Sequence, residues 1–570
     1  MSAVPLNADY RTRALRDLGE RTVDVLVVGG GVVGTGAALD AASRGLSVAL
    51  LEARDWAAGT SSRSSKLIHG GLRYLEQRDF GLVAEALRER GLLLRKLAPH
   101  LVRPVPFVLP LHNGVTERAY IGAGVLLYDT MGGARALPKH RHLSRGDALE
   151  HAPALRPDAL TGAIRYYDAQ VDDARHTMTL ARTAAQHGAT VLTRTRVTRY
   201  LRENGRVTGA VARDTEGDRE IVIRANRVIN ATGVWTDEMH EAAGAQPPFR
   251  VRMSKGVHLL VPRQRIAMDT GMIMRTEKSV LFVIPWGQHW IIGTTDTDWR
   301  YDKEHPAASK ADVDYLLATV NTVLRDPLTT EDIEGVYAGL RPLLAGTSDD
   351  TATLSREHAV AEPIGGLTVV AGGKYTTYRV MAADAVDHAI AGLGRSMSPS
   401  LTDKLPLVGA IGFHEMWQQR QAVADRAELP LAMVEHLLGR YGSATGELLE
   451  MIAAEPGLAE PLPGAPAYHR AEVRYAVTHE GAMHLEDVLT RRTRISVEQF
   501  DRGTTAARPV AEMMGEVLGW SAERVDAEVS HYCERVHAER RAQQAPDDAA
   551  ANAARLAAPE VATSGAHRAG

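Results

Sequence analysis

The stretch from Val23 to Glu52 constrains this chain more than any other. A β-branched run, VDVLVV, meets GGGVVG, continues as an alanine-rich helical pattern to Gly45, and returns as a second apolar run, SVALLE. Gly29, Gly31 and Gly34 occupy the positions of G-x-G-x-x-G. The first glycine permits a tight turn, the second lets backbone approach a pyrophosphate, and the third lets helix and strand pack closely. Glu52 ends the second strand, where an acid accepts hydrogen bonds from a ribose diol. Glycine-rich turns are common, but this one follows a strand, opens a helix and has an acid at the right distance. The pattern predicts a doubly wound α/β domain that holds a dinucleotide.

FAD and NAD share this fingerprint. A flavoprotein that also used NAD(P)H would carry a second copy, and GAGVLL (122–127) lacks the last glycine. No C-x-x-C is present, because Cys533 is the only cysteine among 570 residues. The economical reading is one FAD that takes electrons directly from an organic substrate. The lone cysteine also excludes an intramolecular disulfide and fits a reducing, cytoplasmic setting. A net charge of -4 gives no basic field for nucleic acid. Arg11, Arg13, Arg16 and Arg21 precede no apolar core of a secretory signal, and no apolar run reaches the ~18 residues of a membrane span.

A chain of this length divides into two or three domains. The alternating segments ATVLTRTRVTRYL and RVTGAVARD flank a turn at Asn204-Gly205, VDDARHTMTLARTAAQHG is a helix, and ANRVINATG is a further strand into glycine. KGVHLLVP, SVLFVIPWGQHWIIG and IEGVYAGLRPLL read as antiparallel strands of a separate sheet. The expected organisation is an FAD-binding domain from 20–95, 160–245 and 350–395, and a substrate domain from 96–159 and 246–349. A helical cap follows over 400–540, and the Ala/Pro/Gly-rich 541–570 reads as a disordered tail. Asp172-Asp173 before Arg175 reads as a helix cap with ion pairing, and DTD (296–298) lacks a calcium-loop pattern, so no metal is expected.

The segment GTSSRSSKLIHGGLRYLE (59–76) resembles the flavin-proximal signature of the FAD-dependent glycerol-3-phosphate dehydrogenases. The likeness continues through VDDAR (171–175), NATGVW (230–235), KGVHLLVP (255–262), IPWGQHWIIGTTDTD (284–298), GLRPL (339–343), GGKYTTYR (372–379) and HEGAMHLEDVLTRRTRI (479–495). It departs at Val234, where that family more often has proline. The resemblance implies a glutathione-reductase-type FAD domain, an antiparallel substrate domain and a helical C-terminal domain. It implies oxidation of sn-glycerol 3-phosphate to dihydroxyacetone phosphate, with a hydride passing from C2 to flavin N5 and electrons leaving to menaquinone or ubiquinone. Peripheral contact with the inner face of the cytoplasmic membrane goes with that acceptor, and a homodimer is one open assembly.

In that reading Thr60, Ser61, Ser62, Ser64 and Ser65 offer hydroxyls and N–H groups to phosphate and flavin oxygens. Gly70 and Gly71 let the backbone lie against the ring. Lys66, His69, Thr232, Gly233, Gly373, Lys374 and Thr376 complete the cofactor contacts. Arg73, Arg341 and Lys374 sit in glycine-flanked loops and line the substrate site, with the arginines on the phosphate dianion. His258 is the first candidate for the base on the C2 hydroxyl and His69 the second, with arginine-assisted transfer as the third route. A glycerol-3-phosphate oxidase that uses O2, a flavin amine oxidase, and a flavin-binding membrane protein without turnover stand as rivals. Leucines and cations mixed over 87–111 suit either a membrane-surface segment or a core-facing helix.

Overall fold

The computed structural model describes residues 4–72, 75, 79–131, 137–246, 248–276, 280–345, 357–394 and 397–558. Strand Thr22–Val28 lies inside an eight-stranded sheet, parallel to Val48–Leu51 on one side and to Arg219–Asn230 on the other. Thr190–Leu192 and Leu367–Gly372 extend the parallel order outward. Val23, Val25, Leu26 and Val27 are fully buried because apolar clusters lie on both faces, which is why the run is continuous rather than alternating. Helix Val32–Ser43 ends as Gly45 turns to φ +81°. The hairpin Thr195–Glu203/Arg206–Asp214 turns through Asn204 and Gly205, both at positive φ, the geometry that favours an Asn-Gly pair.

The second sheet has ten strands. Its ladder is antiparallel except where Gly271–Arg275 runs parallel to Val102–Leu111. The expected boundary at 160 needs correction. Strand Gly162–Val171 pairs along its whole length with Val102–Leu111, so it belongs to this sheet and not to the dinucleotide domain. Two residues of the serine-rich loop, Leu67 and Ile68, pair with Gln170 and Ala169 and stitch that loop to the second sheet. Much of 87–111 is core: Leu87, Leu93, Leu97, Val102, Phe107 and Leu111 are buried. The core-facing reading of that segment therefore holds.

Beyond 400 the chain is mostly helical, and a small hairpin, Pro461–Leu462 with Ala465–His469, occupies its proline-rich break. This part is bonded to the dinucleotide domain by buried ion pairs. Arg492 grips Asp55 at 2.6 Å, Arg175 meets Glu480 at 2.8 Å, and Arg494 reaches both Asp172 and Asp173. The expected disorder from 541 is also corrected. Helix Ala522–Ala542 is followed by helix Asp548–Leu556, capped by Asp547 and anchored where Asp548 meets the buried Lys255. Its alanine content, read as low complexity, is instead the strongest helix former. Residues 559–570 lie outside the described residues.

Candidate active site

A cavity of about 670 Å³ runs from the glycine turn to the second sheet. At one end stand Gly29, Gly30 and Gly31. A Cβ on Gly29 would lie 2.6 Å from the Ala231 carbonyl oxygen, and one on Gly34 only 1.9 Å from that of Gly29. Both positions exclude side chains, so the backbone of helix Val32–Ser43 points its N-terminus into the cavity, where an anion is favoured. Glu52 accepts from the N–H of Gly30 at 2.6 Å and of Arg54 at 2.8 Å. Burial pushes its carboxyl above the ordinary carboxylate value, against those two bonds. Thr195, Arg196 and Val197 continue the wall beside Glu52. They carry no motif and were missed, because a hairpin start offers no signal that it walls a cavity.

The serine-rich loop closes the next side. Ser61 accepts from the N–H of Val32 at 2.9 Å, and Thr60 donates to the Leu340 carbonyl at 2.6 Å. Ser64 donates to Asp173 at 2.7 Å, which holds the loop on helix Asp173–Gln186. The hydroxyl of Thr376 bonds both the N–H and the carbonyl of His69, each at 3.1 Å. Thr376 thus shapes the loop from outside the cavity, while His69 and Gly71 line it with Thr232, Gly233, Gly373 and Lys374.

At the far end His258 projects from strand Val251–Pro262 between Gly293 and Tyr337. A Cβ on Gly293 would lie 2.3 Å from the imidazole, and Tyr337 stacks on the ring at 4.7 Å. His258 Nε2 and Ser65 Oγ are 2.8 Å apart. Burial first, then the charges of Arg341 and Lys66, holds this histidine well below its ordinary value, so the ring is neutral. Arg341 is fixed by Thr294 Oγ1 at 2.9 Å, the Thr295 carbonyl at 3.2 Å and Ser254 Oγ at 3.3 Å. A Cβ on Gly256 would strike its guanidinium at 2.6 Å, which explains the glycine in KGVHLLVP. Thr294, Tyr337 and Ser254 were missed as individual residues, although the motifs around them were noticed.

The structure does not bring every expected residue to the cavity. The Lys66 amine turns away and donates to Asp173 at 2.7 Å and the Ser62 carbonyl at 3.1 Å, so it braces the loop rather than lining the site. Ser62 is buried beneath it and offers that carbonyl. Gly70 packs where a Cβ would lie 2.4 Å from Leu87, and its N–H donates to Tyr128. Gly34 acts through packing alone. Arg73 lies outside the described residues. Asp172 caps helix Asp173–Gln186 and pairs with Arg494, as cap-and-pair chemistry requires.

Residues 24–379 match the model of the family described as FAD dependent oxidoreductase, and residues 400–525 match the C-terminal domain of alpha-glycerophosphate oxidase. The glycerol-3-phosphate dehydrogenase of Mycobacterium leprae (strain TN) is 56% identical over 561 residues, covering 98% of this chain and 96% of that protein. The mitochondrial glycerol-3-phosphate dehydrogenase of Mesocricetus auratus is 37% identical over 529 residues, covering 89% of this chain and 72% of its own length. Among solved structures, the glycerol-3-phosphate dehydrogenase from Bacillus halodurans complexed with FAD has a TM-score of 0.78 at 28% identity, covering 95% of this chain and 99% of that one.

Proposed function

The chain belongs to the FAD-dependent glycerol-3-phosphate dehydrogenase family, and from that premise we propose that it oxidises sn-glycerol 3-phosphate to dihydroxyacetone phosphate and passes the electrons to a membrane quinone. The observation that carries the substrate assignment is the pairing at one cavity end of a fixed arginine, Arg341, with a neutral histidine, His258. A phosphorylated polyol asks for both: a cation for its dianion and an acceptor for its hydroxyl proton.

The residues present fit FAD. The side-chain-free turn at Gly29 and Gly31 and the N-terminus of helix Val32–Ser43 would hold the pyrophosphate, Glu52 the ribose, and the backbone of Thr60–Ser65 and Gly71 the approach to the ring. Bound FAD supplies the hydride acceptor for the hydrogen on C2. Arg341 and Lys374 bind and orient the phosphate, so that the C2 hydroxyl faces His258. In the tautomer with Nε2 unprotonated, the Ser65 hydroxyl donates to that nitrogen, and the substrate hydroxyl takes its place to give up its proton there. A phosphate dianion nearby offsets the cost of charging the imidazole. Stacking by Tyr337 keeps the ring plane fixed.

The quinone reading is supported by an apolar surface. Tyr120, Leu126 and Leu127 on helix Gly114–Met131 are exposed, with Phe80 at the start of helix Phe80–Leu92 also open. No helix among the described residues is long and apolar enough to cross a membrane, so contact of this kind would be made from the surface. The deciding experiment follows reoxidation of the substrate-reduced enzyme. Faster reoxidation by a short-chain quinone than by air-saturated buffer supports the proposal, and the reverse order assigns the chain as an oxidase.

A further inference from the structure

A second cavity, about 70 Å³ in volume, lies where the serine-rich loop meets the C-terminal helices, and Arg63 borders both it and the cavity described above. Room for one water takes roughly 10–15 Å³ on the same measure, so the space suits a cluster of about five waters or one tetrahedral oxoanion with its oxygens. Its wall carries Arg63, Lys66, Arg494, Arg535 and Arg555, against a single carboxylate, Glu539.

Not all of this charge is unmatched. Lys66 and Arg494 are satisfied by Asp173 and Asp172. Arg535 divides between Glu539 at 3.1 Å and Glu486 at 3.2 Å. Arg63 is different. Among the described residues its guanidinium has no ion pair, and its hydrogen bond goes to the Glu304 carbonyl at 3.2 Å. Arg555 has only a share of Glu539, at 3.5 Å, and donates to the Ala558 carbonyl and to His305 Nδ1 at 3.2 Å. Accepting that bond leaves Nδ1 without a proton, so the ring is neutral and adds no further positive charge.

Burial, followed by the charges of Arg54 and Arg535, pulls Arg63 down to about 9. Burial also lowers Arg555, despite Glu539. Arg63 has no ion pair among the described residues and Arg555 shares Glu539 with Arg535, so the five cations facing this space meet four carboxylates, Asp172, Asp173, Glu486 and Glu539.

We propose that this cavity is a binding site for free inorganic phosphate, held between Arg63 of the serine-rich loop and Arg555 of the C-terminal helix Asp548–Leu556. The ion joins the loop that borders the cofactor cavity to the end of the chain, at a place distinct from the substrate clamp of Arg341 and Lys374. Phosphate is favoured over a phosphoester because the space has no room for a carbon skeleton.

Crystals of the FAD-loaded protein soaked in selenate locate the site directly by anomalous scattering. A peak bounded by Arg63 and Arg555 is expected, and a map with peaks only at Arg341 and Lys374, or with none, overturns the proposal. Equilibrium dialysis with inorganic phosphate, in saturating dihydroxyacetone phosphate, gives the solution counterpart. The wild type should retain about one phosphate per chain and Arg555→Gln none. Equal retention by both, or a crystal peak without binding at millimolar phosphate, also overturns it. If Arg555→Gln fails to fold, the selenate map and the wild-type dialysis still decide. The map reads each position separately, so failure at Arg341 counts against the proposed substrate and not against this site.

Discussion

Ser65 Oγ stands 2.8 Å from His258 Nε2, and this contact joins a loop that begins in the dinucleotide domain to a central strand of the second sheet. It sets the imidazole's reactive edge toward the cavity before any substrate arrives.

Replacing His258 with glutamine should lower the rate of flavin reduction by roughly 10²–10⁴-fold, the usual worth of a positioned base. FAD content should stay unchanged. Ser65→Ala should cost less, about tenfold or under, since it orients rather than transfers. Stopped-flow absorbance of the flavin reads both. Because His258 is held well below its ordinary value in the free enzyme, its protonation should not impose an acid limb on kcat/KM near pH 6.5.

Arg341→Gln should raise KM for glycerol 3-phosphate by about 10- to 100-fold, as loss of a charge-assisted bond to a phosphate does. Oxidation of unphosphorylated glycerol, however slow, should be unaffected. Steady-state kinetics on the two substrates separate a phosphate clamp from a general loss of fold.

At the glycine turn, Gly34→Val should abolish FAD retention, because even a Cβ there meets the Gly29 carbonyl oxygen at 1.9 Å. Gly31→Ala is milder, since its Cβ meets only Ser61 Oγ at 3.2 Å. Flavin absorbance per chain after gel filtration should rank them wild type, Gly31→Ala, Gly34→Val.

His484 bonds Glu216 and Glu528, each at 2.9 Å, and ties the C-terminal helices to the dinucleotide domain. Burial alone would lower its pKa, yet the two carboxylates outweigh burial and raise it to about 9. A value raised in the folded state gives stability that is whole below about pH 6.5 and is lost as pH rises through about 9. Urea unfolding should therefore show His484→Gln less stable than the wild type by a few kcal/mol at pH 6. That gap should narrow toward pH 9.

Local chemistry was readable where a residue's own type imposes the structure. Gly29 and Gly34 admit no side chain, Asn204-Gly205 requires positive φ, and Asp172 caps a helix. The sheet to which Gly162–Val171 belongs was not readable, since an apolar strand carries no mark of its partner and pairing is decided over long separations. Lys66 was misplaced for a related reason. Its neighbours in sequence line the cavity, but its amine is claimed by Asp173, more than a hundred residues away. Tyr337, likewise, becomes a site residue only because strand Gly335–Leu344 lies in register with His258. The helix Asp548–Leu556 was hidden by composition, since its anchor Lys255 lies in another domain.

The most direct test is an anaerobic titration of the FAD-loaded protein with sn-glycerol 3-phosphate, followed by the flavin absorbance. The account predicts full bleaching with this substrate, and no bleaching on the same timescale with equal concentrations of glycerol or amino acids. Persistent oxidised flavin under glycerol 3-phosphate would contradict the pairing of Arg341 with His258 as a site for phosphorylated polyol oxidation.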